Sequence, residues 1–215
     1  MKKLLTLFLV LWCSTAWAAG PIDWSKPYAR SNPYVLGAGV AAGSSCDSAT
    51  NEIGSRTTYG TAYSFGADLA IVLLVTADCL GELDTANFYN SGEGTASNAK
   101  ICIYTTGGSG ADPDNAGNVL VKCSGAIASG TGSGWKTAAM DAGGNITSTN
   151  ANAYWMMIVV DDSAAAWYQS MKNDTTTIWY MTATGYYDTP PANLGAGTWS
   201  EVGSFGPYSA YVTIK

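Results

Sequence analysis

Glu82-Leu83-Asp84 is the first spacing with chemical meaning, because two carboxylates at i and i+2 share one face of a strand. Retaining glycoside hydrolases use two acids about 5–5.5 Å apart, one as nucleophile and one as proton donor. A Glu-x-Asp-x-x-Glu strand would supply such a set, but its last acid is here Asn87. The second catalytic carboxylate is missing, so hydrolysis ranks last among the readings. Asp112-Pro113-Asp114-Asn115-Ala116-Gly117-Asn118 clusters oxygen ligands of the kind Ca2+ takes. An EF-type loop needs an acid at its twelfth position, which is Cys123. A turn whose Asp and Asn side chains bond their own backbone is the better reading. No metal or other cofactor is expected, and Ca2+ would need ligands from further loops.

Tyr186-Tyr187-Asp188-Thr189-Pro190-Pro191 and Trp199-Ser200-Glu201 combine rings with turn chemistry, which predicts exposed loops. Such rings could stack on the C–H faces of a sugar while neighbouring acids and amides bind its hydroxyls. The candidate ligand-binding set is Tyr186, Tyr187, Asp188, Asn193, Trp199 and Glu201. Gly37, Gly39 and Gly43 superficially suggest a dinucleotide fingerprint, but no strand precedes them and no acid follows at the right distance. They read as a small-residue linker. The chain contains no histidine. That removes His-based triads, most catalytic zinc sites and the usual neutral-pH proton shuttle, and no enzyme is expected.

The elements that must position these residues read as strands. Short β-rich runs alternate with Gly-Gly, Ser-Gly, Asp-Pro and Pro-Pro breakers from Thr57 onward. They cover 59–65, 69–76, 83–89, 99–105, 119–123, 135–140, 154–160, 167–171, 177–184 and 208–214. The runs at 69–75 and 154–160 are apolar on both faces, and their Ile and Val content predicts central strands. Residues 19–56 read as an extended Gly/Pro-rich segment with room for one edge strand. Of the dense aromatic set that includes Trp135, Tyr154, Trp155, Trp179, Tyr208 and Tyr211, core or cross-strand packing accounts for most.

Composition sets the compartment. In 215 residues only 12% are charged while 47% are hydrophobic, enough for a sizeable core. Lys2 and Lys3, the apolar run 4–12 and Ala16-Trp17-Ala18 form the pattern of a secretory signal peptide, residues 1–18. Its removal shifts the net charge from −6 to −8, which argues against nucleic acid and anionic membrane partners. No run is long enough to span a membrane. Cys46, Cys79, Cys102 and Cys123 remain, an even set that reads as two disulfides in an oxidising compartment. Cys102–Cys123 and Cys46–Cys79 are the favoured pairs. The expected location is secreted, either extracellular or periplasmic.

Ala99-Lys-Ile-Cys-Ile-Tyr104, the Gly/Asp/Pro loop 107–118, Gly134-Trp135-Lys136-Thr137 and Ala153-Tyr154-Trp155-Met156 follow one another in a recognisable order. This order resembles jelly-roll, carbohydrate-binding-like domains of secreted bacterial and phage proteins. The resemblance implies an antiparallel two-sheet jelly-roll sandwich of about 8–10 strands over residues 57–215. It implies a sandwich appended to surface or secreted proteins, often of unknown ligand; taken with the loop aromatics, the expectation is a non-catalytic binding module whose partner is a glycan or cell-surface polysaccharide. The alternative is a structural subunit of a surface appendage or matrix, in which the segment 19–56 completes the sheet edge of another copy.

Overall fold

A computed structural model describes residues 51–58, 61–65, 69–77, 79–90, 97–107, 112–128, 130, 132–147, 153–161, 167–171, 178–182, 184–202 and 208–215. All of these lie within one unit, Val40–Lys215. The leader 1–18, the glycine linker and Cys46 lie outside the described residues. Among the described residues there are fourteen strands and no α-helix. The chain runs through β1 (Glu52–Gly54), β2 (Thr61–Phe65), β3 (Leu69–Thr76), β4 (Gly81–Asn90), β5 (Asn98–Thr105), β6 (Leu120–Cys123) and β7 (Ile127–Ala128). It continues through β8 (Gly134–Ala139), β9 (Asn145–Ile146), β10 (Ala153–Val160), β11 (Trp167–Met171), β12 (Ile178–Thr182), β13 (Ser200–Val202) and β14 (Ala210–Ile214).

All ten segments expected from periodicity coincide with strands. The count of 8–10 falls short because β1, β7, β9 and β13 have two or three residues each, too few to show alternation. Sheet 1 has the order β1-β14-β4-β11-β2, with β8 and β9 also paired to β4. Sheet 2 has the order β13-β12-β3-β10-β5-β6, with β7 paired to β5. Every pairing is antiparallel. The protein is therefore an all-β, two-sheet sandwich.

The main core lies between the sheets. Ile71, Leu73, Ile101, Ile103, Met156 and Ile158 face it from sheet 2, and Ile53, Leu83, Phe88, Val212 and Ile214 from sheet 1. A second, smaller core covers the other face of sheet 2. There Val72, Tyr104, Trp155, Met157 and Val159 pack with Leu194 and Trp199. This second layer explains why β3 and β10 are apolar on both faces: the segment 184–199 covers what would otherwise be the wet side of the sheet. The disulfide Cys102–Cys123 joins directly opposed residues of β5 and β6 within that layer. Cys79 is also disulfide-bonded.

Two local features shape sheet 1. Ala86 pairs with Val212 but Leu83 with Ile214, so Asp84 and Thr85 together stand opposite Thr213 alone. This bulge turns Ala86 and Phe88 inward behind Leu83 and leaves Asn87 and Tyr89 on the outer face. At β1, Gly54 has φ +105°, and a Cβ there would meet Ala210 O at 2.4 Å. Only glycine lets this edge strand lie so close against β14.

Candidate functional site

The expected loop site is used for packing. The 3₁₀ turn Leu194–Ala196 carries the segment back over sheet 2. Trp199, expected in an exposed loop, is 5% exposed, and its indole N–H donates to Leu194 O at 2.9 Å. Its backbone N–H donates to Asp114 Oδ1. The prediction of an exposed ring fails because Pro and Gly mark any chain reversal, including one that folds back onto a sheet. Tyr186 and Tyr187 are half-buried against the same small core. Lys100 Nζ lies 4.6 Å above the Tyr187 ring and donates to Tyr187 O at 2.8 Å. Burial, with Asp161 and Asp188 adding negative charge, pushes the Tyr187 phenol up. The Tyr104 hydroxyl donates to Pro191 O, and Asn193 bridges to Val119 through the backbone. Asp188 is exposed, and Glu201 is exposed on β13 opposite Trp179. Five of the six are thus spread along the segment that covers sheet 2, and Glu201 lies on that sheet's edge strand β13.

The loop 112–118 behaves as a self-bonded turn. Asp112 Oδ1 accepts from Asp114 N–H, and Asn115 Oδ1 from Gly117 N–H. Asn118, 1% exposed, accepts from Gly107 N–H at 2.7 Å and donates to Asp112 O and Pro113 O. Gly195 packs on this loop, where a Cβ would meet Ala116 N at 2.6 Å. Among the described residues no group of three or more His, Cys, Asp and Glu side chains could hold a metal ion. No helix among them is long and apolar enough to cross a membrane.

Glu82 and Asp84 share one face, as the spacing requires, and both meet a cation. Lys215 Nζ is 3.1 Å from Asp84 Oδ1 and 3.8 Å from Glu82 Oε2. Hydrogen bonds from Lys215 and the Thr85 hydroxyl hold the Asp84 carboxyl below its ordinary range. That is the opposite of what a proton donor needs.

The outer face of sheet 1 carries an aromatic group, Tyr89, Trp135 and Tyr211, that the sequence reading did not single out as a site. Trp135 on β8 is directly opposite Tyr89 on β4, with ring centroids 5.5 Å apart and planes at 74°. On its other side lies Tyr211 of β14, at 5.0 Å and 71°. Arg56 stacks over Tyr211 at 4.7 Å and is ion-paired with Glu52 of β1. All three rings are half-exposed. The next register pair inward places Asn87 between Tyr211 and the exposed Thr137. The signal was present in the alternation: Asn87/Tyr89, Trp135/Thr137 and Tyr211/Thr213 are each the outward set of a half-buried strand. What sequence could not show is that these sets adjoin.

Comparison with known proteins finds no matching family model, no similar curated protein and no similar solved structure. Function therefore rests on the site itself.

Proposed function

We propose that this protein is a secreted, non-catalytic binding module for carbohydrate, built on a jelly-roll type of sandwich. The observation that carries the reading is the Tyr89–Trp135–Tyr211 set on the outer face of sheet 1. Edge-to-face ring pairs contribute about 0.5–1.5 kcal/mol each beyond area burial. They hold the three rings as a firm, corrugated surface suited to the C–H faces of pyranose rings. Asn87, Thr137 and Arg56 beside them supply polar groups for hydroxyls. The proposed surface thus lies on strands rather than on the 184–201 loop.

Binding without chemistry fits the rest of the molecule. The two closely spaced acids are engaged by Lys215 and neither site region pairs a nucleophile with a base. Export fits the Cys102–Cys123 disulfide, since such bonds persist in oxidising compartments. The test is a glycan array probed with the wild type and Trp135→Ala. Retention of at least one glycan by the wild type, weakened at least tenfold in the variant, is expected. A wild type that retains no glycan refutes the reading.

A further inference from the structure

We infer that the aromatic face takes a neutral sugar whose hydroxyl donates to the Asn87 carboxamide oxygen, which makes Asn87 the residue that selects among sugars. The inference rests on the carbohydrate-binding reading above and goes further by naming the selecting atom and the charge class of ligand.

Asn87 is 6% exposed, yet its side chain belongs to the outer face, because Ala86 and Phe88 on either side point into the core. It is flanked by Tyr211 and Thr137 and lies one register pair from Tyr89–Trp135. Its Nδ2 donates to Thr85 O at 3.0 Å. This bond fixes the plane of the amide, and none of the described residues donates to Oδ1. Oδ1 is not sealed from solvent, so it accepts from water in the free protein, and a ligand hydroxyl can take that water's place. A sugar O–H can donate to it, whereas an anionic oxygen would be repelled by it.

The electrostatics point the same way. Arg56, the cation stacked on this aromatic group, is committed to Glu52 and to the Tyr211 ring. No unengaged positive charge is therefore offered by it to a uronate or sulfate. The whole chain has a net charge of −6, which further disfavours acidic polymers. Aromatic-lined faces also take proline-rich peptides. Those present apolar rings and carbonyls, and none of these can donate to Oδ1.

The test uses an array of neutral and uronate-containing oligosaccharides, followed by titration calorimetry with the best neutral hit and its monodeoxy analogues. In the wild type one monodeoxy analogue should bind about tenfold more weakly than the parent, the value of one hydrogen bond. In Asn87→Ala the parent should fall to the affinity of that analogue, and the two should then bind alike. Asn87→Ser serves if the alanine variant does not fold, and the wild-type analogue series decides if neither does. Binding abolished by Trp135→Ala but unchanged in Asn87→Ala overturns the inference and keeps the broader reading. So does a set of deoxy analogues that all bind like the parent, or a uronate-containing oligosaccharide as the strongest hit. A wild type that binds proline-rich peptides and no glycan overturns both.

Discussion

Replacement of Trp199 by alanine separates a buried ring from a ligand-binding one. The indole is 5% exposed, packs with Leu194, Met157 and Val159 in one cluster, and donates to Leu194 O. Trp→Ala in such a setting costs about 3–5 kcal/mol, counting both lost burial and the cavity left behind. The covering segment can partly collapse, which favours the lower half of that range. For a unit of this size each kcal/mol moves the unfolding midpoint by about 2–4 °C, so a drop of roughly 6–15 °C is expected by calorimetry. Trp199→Phe should retain most of the burial and lose about 1 kcal/mol with the indole hydrogen bond, while Leu194 O keeps its bond from Gly197 N–H. Below the new midpoint, sugar binding should be unchanged, because Trp135 lies on the outer face of the other sheet and distant sites act independently. A variant of near wild-type stability that has lost its glycan would mean that Trp199 is a ligand contact and that the covering role is wrong.

Asn118→Ala should cost about 2–3 kcal/mol in chemical denaturation, since it leaves Gly107 N–H, Asp112 O and Pro113 O without their buried partner. Cys102→Ser with Cys123→Ser should cost about 3 kcal/mol, the chain entropy of a loop whose ends are 21 residues apart; an unchanged midpoint under non-reducing conditions would contradict this. Burial of Tyr104, with Tyr186 nearby, raises its phenol well above the ordinary value of 10.0. A raised value favours the protonated form in the folded state, so this contribution is complete below pH 10 and is lost as pH climbs from there. Tyr104→Phe should accordingly show a shallower decline of stability in titrations above pH 10, at the cost of the hydrogen bond to Pro191 O.

The strands were legible because their physics is local. In β3 and β10 eight consecutive residues of high β-propensity can be read without knowing their neighbours, and both appear with the expected bounds to within a residue. Cys102 and Cys123 were legible for a related reason, since a short return brings two consecutive strands into register. The candidate site was not. Whether Trp199 is exposed depends on Leu194 N–H meeting Asn118 O and on Asn193 meeting Val119, contacts between positions more than seventy residues apart. Tyr89, Trp135 and Tyr211 each look like ordinary cross-strand residues. Their union depends on β4 pairing with β8 on one side and β14 on the other, and on the bulge at Asp84–Thr85 that turns Tyr89 outward. Pairings of such sequence separation leave no periodic trace.

The disulfide between β5 and β6 lies beneath the 184–199 segment, with Cys102 at 0% and Cys123 at 8% exposure. A soluble thiol reaches these sulfurs only during moments when that covering has peeled away. The rate at which a mild reductant severs the bond is therefore a clock for the opening of one flank of the sandwich, readable while the opposite flank stays folded.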